Sequence, residues 1–408
     1  MNDVPPGPEP GLGPADQAQE LGRDQVSLTS GNLTEHERVV TSESLEQLRL
    51  RARRFVDEEL AAGRFEPRCD SWLIGFDREF SRRLAAQGMV GMTLAERFGG
   101  AGLTALHRFV VIEELLAAGA PLAAHWFAER QVGPAMMRYG SEDMQKEWLP
   151  RIARGEVSFA IGLSEPDAGS DLAAVRTRAE PVNGGFRLHG TKIWSSNAHR
   201  CDAIVVLART SDEGRKHAGL TQLVVRLPDP TVRVSPIESI DGQHHFNEVT
   251  FDDTLVSEND VLGTVGAGWR QVVGELAYER SGPERYLSTM PLLRAVVAEA
   301  NGPHSHDRAM ADLLSRMSTL RHMSAQVARA MSDGSAPDPV AASVVKDLGT
   351  RLEVETVDLA HRLAREVDSP SPRLMRLLRE ARVQAPGFTI RGGASEILRT
   401  IIAKELVG

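Results

Sequence analysis

Phe159-Ala160-Ile161-Gly162-Leu163-Ser164-Glu165-Pro166-Asp167-Ala168-Gly169-Ser170-Asp171 is a short apolar run that ends in a loop with a hydroxyl, a proline, a glycine and a second hydroxyl. The apolar half reads as a strand, and the loop offers backbone N–H groups and small side chains to an oxygen-rich ligand. By composition alone a polar loop after an edge strand is the simpler account, since short motifs have many chance matches. Further on, Gly190-Thr191-Lys192-Ile193-Trp194-Ser195-Ser196-Asn197 places an aromatic plane two residues before a hydroxyl on a predicted strand. That order suits flanking a flat heterocycle and donating to one of its edge atoms, although a lone tryptophan of this kind is usually core.

Working outward, the hydrophobic period changes twice. Residues 1–41 are rich in Pro, Gly, Asp, Glu, Gln and Ser, too poor in apolar side chains to offset the entropy of ordering, and read as a mobile tail. Residues 42–156 are helical in pattern: Leu45, Leu48, Leu50 and Phe55 lead in, and Phe109, Val110, Ile112, Leu115 and Leu116 recur at three to four residues. Residues 157–264 switch to strand runs such as Ala203-Ile204-Val205-Val206-Leu207, punctuated by Asn183-Gly184-Gly185 and Pro228-Asp229-Pro230. From 265 to 408 long helical patterns return, among them Ser305–Met331 and Val340–Val367. The order predicts a mainly α protein with a central β-domain, and the lack of βαβ alternation argues against a Rossmann sheet.

Composition narrows the function classes. The 408 residues carry Lys+Arg 47 against Asp+Glu 56, a net charge of -9, which disfavours a nucleic-acid or anionic-membrane binder. No apolar run approaches the roughly 20 residues needed to span a bilayer, and the N-terminus does not read as a signal peptide. Cys69 and Cys201 stand far apart with no metal-ligand spacing, so a reducing cytoplasm is expected and no metal is. The pairs His244-His245 and His304, His306 read as solvated loop residues.

Taken together, the two opening segments resemble the acyl-CoA dehydrogenase family of flavoproteins, and the likeness extends from Ser42 to Gly408. Matching features include Tyr139-Gly140-Ser141, Trp148-Leu149-Pro150, Phe251-Asp252-Asp253, Val261-Leu262-Gly263, Gly266-Ala267-Gly268 and Gly392-Gly393-Ala394-Ser395-Glu396-Ile397-Leu398-Arg399. The resemblance implies an N-terminal helical domain, a middle β-barrel and a C-terminal four-helix bundle, with FAD between the last two and across a subunit interface. It implies that Ile161, Leu163, Ser164, Gly169 and Ser170 line the flavin and its pyrophosphate, with Ser170 also touching substrate. Trp194 would pack on the ring, Ser196 would donate toward N5, and Glu396 counts among the cofactor contacts.

The family's reaction removes a proton from the carbon α to a thioester while a hydride leaves the β carbon for the flavin, so a base must stand beside the cofactor. In many members that base is a Glu at the position of Gly392, which here has no side chain; its backbone N–H retains the capacity to polarise the thioester oxygen. A minority carry the base on an upstream helix directly before an Arg, which Glu279-Arg280 matches. On that helix Trp269, Val272, Val273, Leu276 and Ala277 form an apolar face, with Arg280 near its centre, Glu279 at its edge and Glu275 further toward solvent. A carboxylate at that edge is partly desolvated, which suits a general base. Arg280 would lie along the acyl-CoA channel.

The C-terminal part departs from common members in lacking their Arg-x-Phe-Gly and Gly-Gly-x-Gly segments for the adenosine half of FAD. It resembles a bacterial branch that breaks down unusual acyl groups, some members of which work as heteromeric pairs. The implied partners are an acyl-CoA or acyl-carrier thioester, an electron-transfer flavoprotein as acceptor, and further copies in a homodimer or homotetramer. A non-catalytic partner subunit and a flavin oxygenase or oxidase on the same fold are the alternatives.

Overall fold

Ser44 opens the first helix with a reciprocal cap: its hydroxyl accepts from the Gln47 N–H at 3.2 Å, and Gln47 Oε1 accepts from the Ser44 N–H at 2.8 Å. The computed structural model describes residues 44–300, 307–332 and 338–407, so the expected tail and His304 and His306 lie outside the described residues. Helix α1 (Leu45–Ala61) buries Leu48, Ala52, Phe55 and Val56, while Leu50 points outward at 46% exposure because it lies about 200° around the helix from Leu48. It packs on α4 (Ala105–Ala118). Between them lie the short α2 (Ser71–Ile74) and α3 (Arg78–Ala86). Then α5 (Ala123–Phe127) runs through a π-turn at Ala128–Val132 into α6 (Gly133–Tyr139), followed by α7 (Glu142–Ala153).

Eight strands follow: β1 (Phe159–Gly162), β2 (Arg178–Val182), β3 (Gly185–Lys192), β4 (Ala203–Arg209), β5 (Leu220–Arg226), β6 (Val232–Ile237), β7 (Phe246–Ser257) and β8 (Val261–Leu262). They pair in the order β6-β7-β3-β2-β4-β5-β8, with β1 parallel to β4. Ala203 to Ala208 in β4 are all buried because both faces are covered. Ala203 and Val205 pack with Trp148, Leu149 and Ile152 of α7, whereas Ile204, Val206 and Ala208 join Leu188, Leu223 and Phe251 inside the sheet. A strand covered on both faces reads as an unbroken apolar run, which is why Ala203-Ile204-Val205-Val206-Leu207 was legible without alternation.

The chain then returns to helices: α8 (Gly268–Arg280), α9 (Met290–Glu299), α10 (Asp307–Ser332), α11 (Pro339–Ala364), α12 (Pro372–Phe388) and α13 (Ser395–Val407). Helix α11 is the hub, packing on α8, α9, α10, α12 and α13. One apolar core spans both helical parts, taking in Leu48, Phe80 and Leu115 from the first and Leu293, Leu352 and Leu377 from the last. Buried polar groups tie the two as well. Arg391 is paired with Asp70 and lies 3.5 Å from Glu353, while Trp72 Nε1 donates to Ser288 Oγ at 3.1 Å. The architecture is thus the mainly helical, centrally β-sheeted one expected, with the terminal helical parts fused through a common core. No described helix is long and apolar enough to cross a membrane.

Candidate active site

The two opening segments meet in space through a pair of side chains. After β1 the chain makes a tight turn, with Glu165 N–H donating to Ala168 O at 2.8 Å and Ala168 N–H to Glu165 O at 3.1 Å. Lys192, at the end of β3, donates from Nζ to Glu165 Oε1 at 2.8 Å and to Leu163 O at 3.0 Å. The carboxylate also accepts from the backbone of Arg176 at 2.7 Å and Thr177 at 2.9 Å. Lys192 is fully buried and Glu165 nearly so. Burial pulls the Lys192 ammonium down to about 8, against the attraction of Glu165. Burial also pushes Glu165 upward, but Lys192 and the two backbone donors hold it below its ordinary value.

Trp194 lies beyond the strand rather than on it. Strand β3 stops at Lys192, Ile193 N–H donates to Ser164 O at 2.9 Å, and Trp194 takes a left-handed φ of 60°. The loop is braced by Ser195 and Asn247, whose backbones exchange hydrogen bonds at 3.1 Å in both directions. The result is an indole 53% exposed, edge-on to Phe246 at 5.6 Å between ring centroids, while Ser196, two residues on, is buried. Gly169 and Ser170 are exposed, and a Cβ on Gly169 would meet nothing within 4 Å. Among the described residues the hydroxyls of Ser164, Ser170 and Ser196 have no hydrogen-bond partner. A bare aromatic face, free hydroxyls and an open loop fit a flat ring with a phosphate tail, so these residues are suited to FAD. Ile161 and Leu163 are half-buried beside them, whereas Glu396 is exposed in the first turn of α13.

Helix α8 lies otherwise than its periodicity implied. Val273 is exposed at 46%, and Glu275, expected toward solvent, is turned inward. Its two carboxyl oxygens accept from Gln222 Nε2 of β5 at 3.0 Å and Gln131 Nε2 of the π-turn at 3.2 Å. Burial pushes the Glu275 carboxyl up to about 7, the two amides lowering it and Glu279 adding to the rise. The helix rotates this way because Gly268 and Gln271 dock on β5 and on Gly263, which periodicity within one helix cannot foresee.

Glu279 is paired with Arg285 at 3.0 Å and keeps 19% side-chain exposure. Arg285 is fully buried, donates to the Glu279 carbonyl as well, and fills the space above Gly392. A Cβ on Gly392, whose φ is 67°, would lie 2.7 Å from Arg285 Nη2. Arg280 is half-buried, and its Nε donates to Gly392 O at 3.3 Å. The upstream carboxylate and the glycine loop are therefore held together, Glu279 through Arg285 and the adjacent Arg280 directly.

The π-turn escaped sequence reading. Ala128 to Val132 are all buried, and three consecutive polar side chains leave it toward α8 and its neighbours. Gln131 meets Glu275, while Arg130 pairs with Glu284 at 2.5 Å and donates to the Glu279 carbonyl at 3.1 Å. Glu129 lines a small cavity. The available signal was Glu129-Arg130-Gln131 between Trp126 and Val132, a polar run inside an apolar helix, where a π-turn often marks a functional site. The histidine pair is ordinary by contrast: His244 stacks on His199 at 3.9 Å and bonds Asn247 at 2.7 Å, and His245 packs on Phe246.

Family models match nearly the whole described chain. The acyl-CoA dehydrogenase N-terminal domain matches residues 42–156, the middle domain 160–254 and the C-terminal domain 266–407. The acyl-CoA dehydrogenase IpdE1 of Mycobacterium tuberculosis is 34% identical over 344 residues, covering 81% of this chain and 87% of the relative. FadE29, another acyl-CoA dehydrogenase of that organism, is 32% identical, covering 80% and 87%. Among solved structures, the Tcur3481-Tcur3483 steroid acyl-CoA dehydrogenase superposes with a TM-score of 0.79 at 27% identity, covering 89% of this chain and 97% of that one. The chain belongs to the acyl-CoA dehydrogenase family and is an oxidoreductase of that FAD-using family.

Proposed function

We propose that the chain dehydrogenates an acyl thioester between its α and β carbons, with Glu279 as the base that takes the α-proton. The observation that carries this reading is the arrangement at Gly392. That loop has no carboxylate, Arg285 fills the space where a side chain would begin, and the same guanidinium holds the Glu279 carboxylate. FAD, when bound, supplies the acceptor for the hydride that leaves the β carbon. Trp194 supports the ring, Ser196 donates to its edge, and Ser164, Gly169 and Ser170 take the phosphates. The Gly392 N–H polarises the thioester oxygen, which acidifies the α-proton, and Arg280 lines the channel of the thioester carrier.

An electron-transfer flavoprotein fits as acceptor, and a homodimer, homotetramer or heteromeric pair as the working assembly; the two free, buried cysteines support a reducing cytoplasm. Glu279→Gln should lower turnover by about 10²- to 10⁴-fold while the protein still binds thioester. Unchanged flavin bleaching in that variant, followed anaerobically with a thioester panel that includes ring-bearing acyl groups, would sink the assignment. The missing carboxylate at Gly392 also suits a non-catalytic partner subunit; a purified chain that takes up no FAD would favour that reading, and stoichiometric FAD would count against it.

A further inference from the structure

Between α4, the π-turn and the loop that leaves α8 lies a cavity of about 30 Å³. Ser281 and Gly282, just past Glu279 and Arg280, form one wall, and Arg130 forms another while donating to the Glu279 carbonyl at 3.1 Å. The cavity therefore lies beside the turn that follows Glu279. Phe109 and Trp126 give it apolar sides suited to a hydrocarbon body. Glu129 is different in kind: it is only 4% exposed, and its Oε1 has no hydrogen-bond partner among the described residues. Its Oε2 lies 4.0 Å from Arg108 Nη1.

We propose that this cavity receives the far end of the acyl group, and that Glu129 selects thioesters presenting a hydroxyl or ketone oxygen there. The inference rests on the reading of Glu279 as base, which sets where the acyl group starts. The space is roughly two to three times what one water needs, so it admits a small oxygen-bearing end group. A carboxyl buried without a partner is costly, and a ligand oxygen that bonds to it removes that cost, whereas a methyl group leaves it in place. Burial raises the Glu129 pKa despite Arg108 and Arg130, so its carboxyl can donate to a ketone when protonated and accept from a hydroxyl when ionised. A carboxylate-ended acyl group is disfavoured, because Arg130 is already committed to Glu284 at 2.5 Å and Glu129 itself faces Arg108.

The test uses the FAD-loaded full chain and a series of acyl-CoA thioesters of equal length, in which one hydroxyl or keto oxygen is walked along the chain, against the plain hydrocarbon. Binding of the matching 2-enoyl thioesters is measured by calorimetry, and oxidation by kcat/KM. One oxygen position should improve both by at least about ten-fold, Glu129→Leu should abolish or invert that preference, and Glu129→Gln should keep much of it for the hydroxyl. Thermal melts of the near-isosteric Gln variant separate a lost preference from a lost fold. If no oxygen position is preferred, or the preference survives Glu129→Leu, the cavity merely holds water and the proposal fails. A Glu129-dependent binding preference without flavin reduction would uphold the subsite and overturn the catalytic reading instead, and failure to bind any thioester would overturn both.

Discussion

Lys192 Nζ stands 2.8 Å from Glu165 Oε1 with both side chains withdrawn from water, and this pair fastens the Ser164 loop to the strand that leads to Trp194. The two segments that carry the family resemblance are thus one device. The ion pair sets the distance between the loop that offers hydroxyls and the indole that offers a flat face.

Breaking the pair from one side leaves a charge buried alone. Lys192→Met should destabilise the fold by about 3–5 kcal/mol. It should also lower FAD retention, since the loop would lose its anchor. Denaturant melts together with the flavin-to-protein absorbance ratio test both, and a variant of ordinary stability with full flavin would show that the pair does not organise the loop.

Trp194 should behave in the opposite manner. Its indole is 53% exposed, so Trp194→Ala should change stability by less than about 0.5 kcal/mol. Flavin affinity should nevertheless fall at least about ten-fold, read by equilibrium titration of the apoprotein. A large loss of stability with unaltered flavin binding would make the residue core rather than cofactor support.

Gly392 cannot simply be restored to a carboxylate. Its φ of 67° is left-handed, and a Cβ there meets Arg285 Nη2 at 2.7 Å. Gly392→Ala should cost about 1–3 kcal/mol of stability. By displacing Arg285 it should also disturb Glu279, so kcat should fall more than KM rises. Gly392→Glu combined with Glu279→Gln should not recover activity, and recovery in steady-state assays would contradict the role given to Arg285.

Glu275 gives a pH signature. Its pKa in the folded protein is raised from 4.5 to about 7, so between these values the native state keeps a proton that the unfolded chain has lost. Stability from this group therefore falls as pH rises through that window. Glu275→Gln removes the dependence: relative to the parent, its unfolding free energy should improve by on the order of 3 kcal/mol from about pH 5 to about pH 8. Urea melts at the two pH values decide it, and a difference independent of pH would mean that Glu275 is ionised in the native protein.

The sequence by itself determined the order of helical, β and helical parts, the two segments that carry the family resemblance, and the lack of a carboxylate at Gly392. These are local matters: hydrophobic period reports which face of an element is covered, and a short loop keeps its residue types in a readable row. The tertiary structure decided what depended on residues distant in the chain. Leu50 and Val273 face outward, and Glu275 faces inward because Gln222 and Gln131, from two other parts of the fold, reach its carboxyl. The partner of Glu165 lay 27 residues away and that of Arg391 lay in the first helical part, and no periodicity couples such positions. The π-turn was hidden for a related reason: one extra residue in a helix shifts which side chains point at the neighbours, and only the packed neighbours, here α8 and its carboxylates, show that Glu129, Arg130 and Gln131 are the ones turned inward.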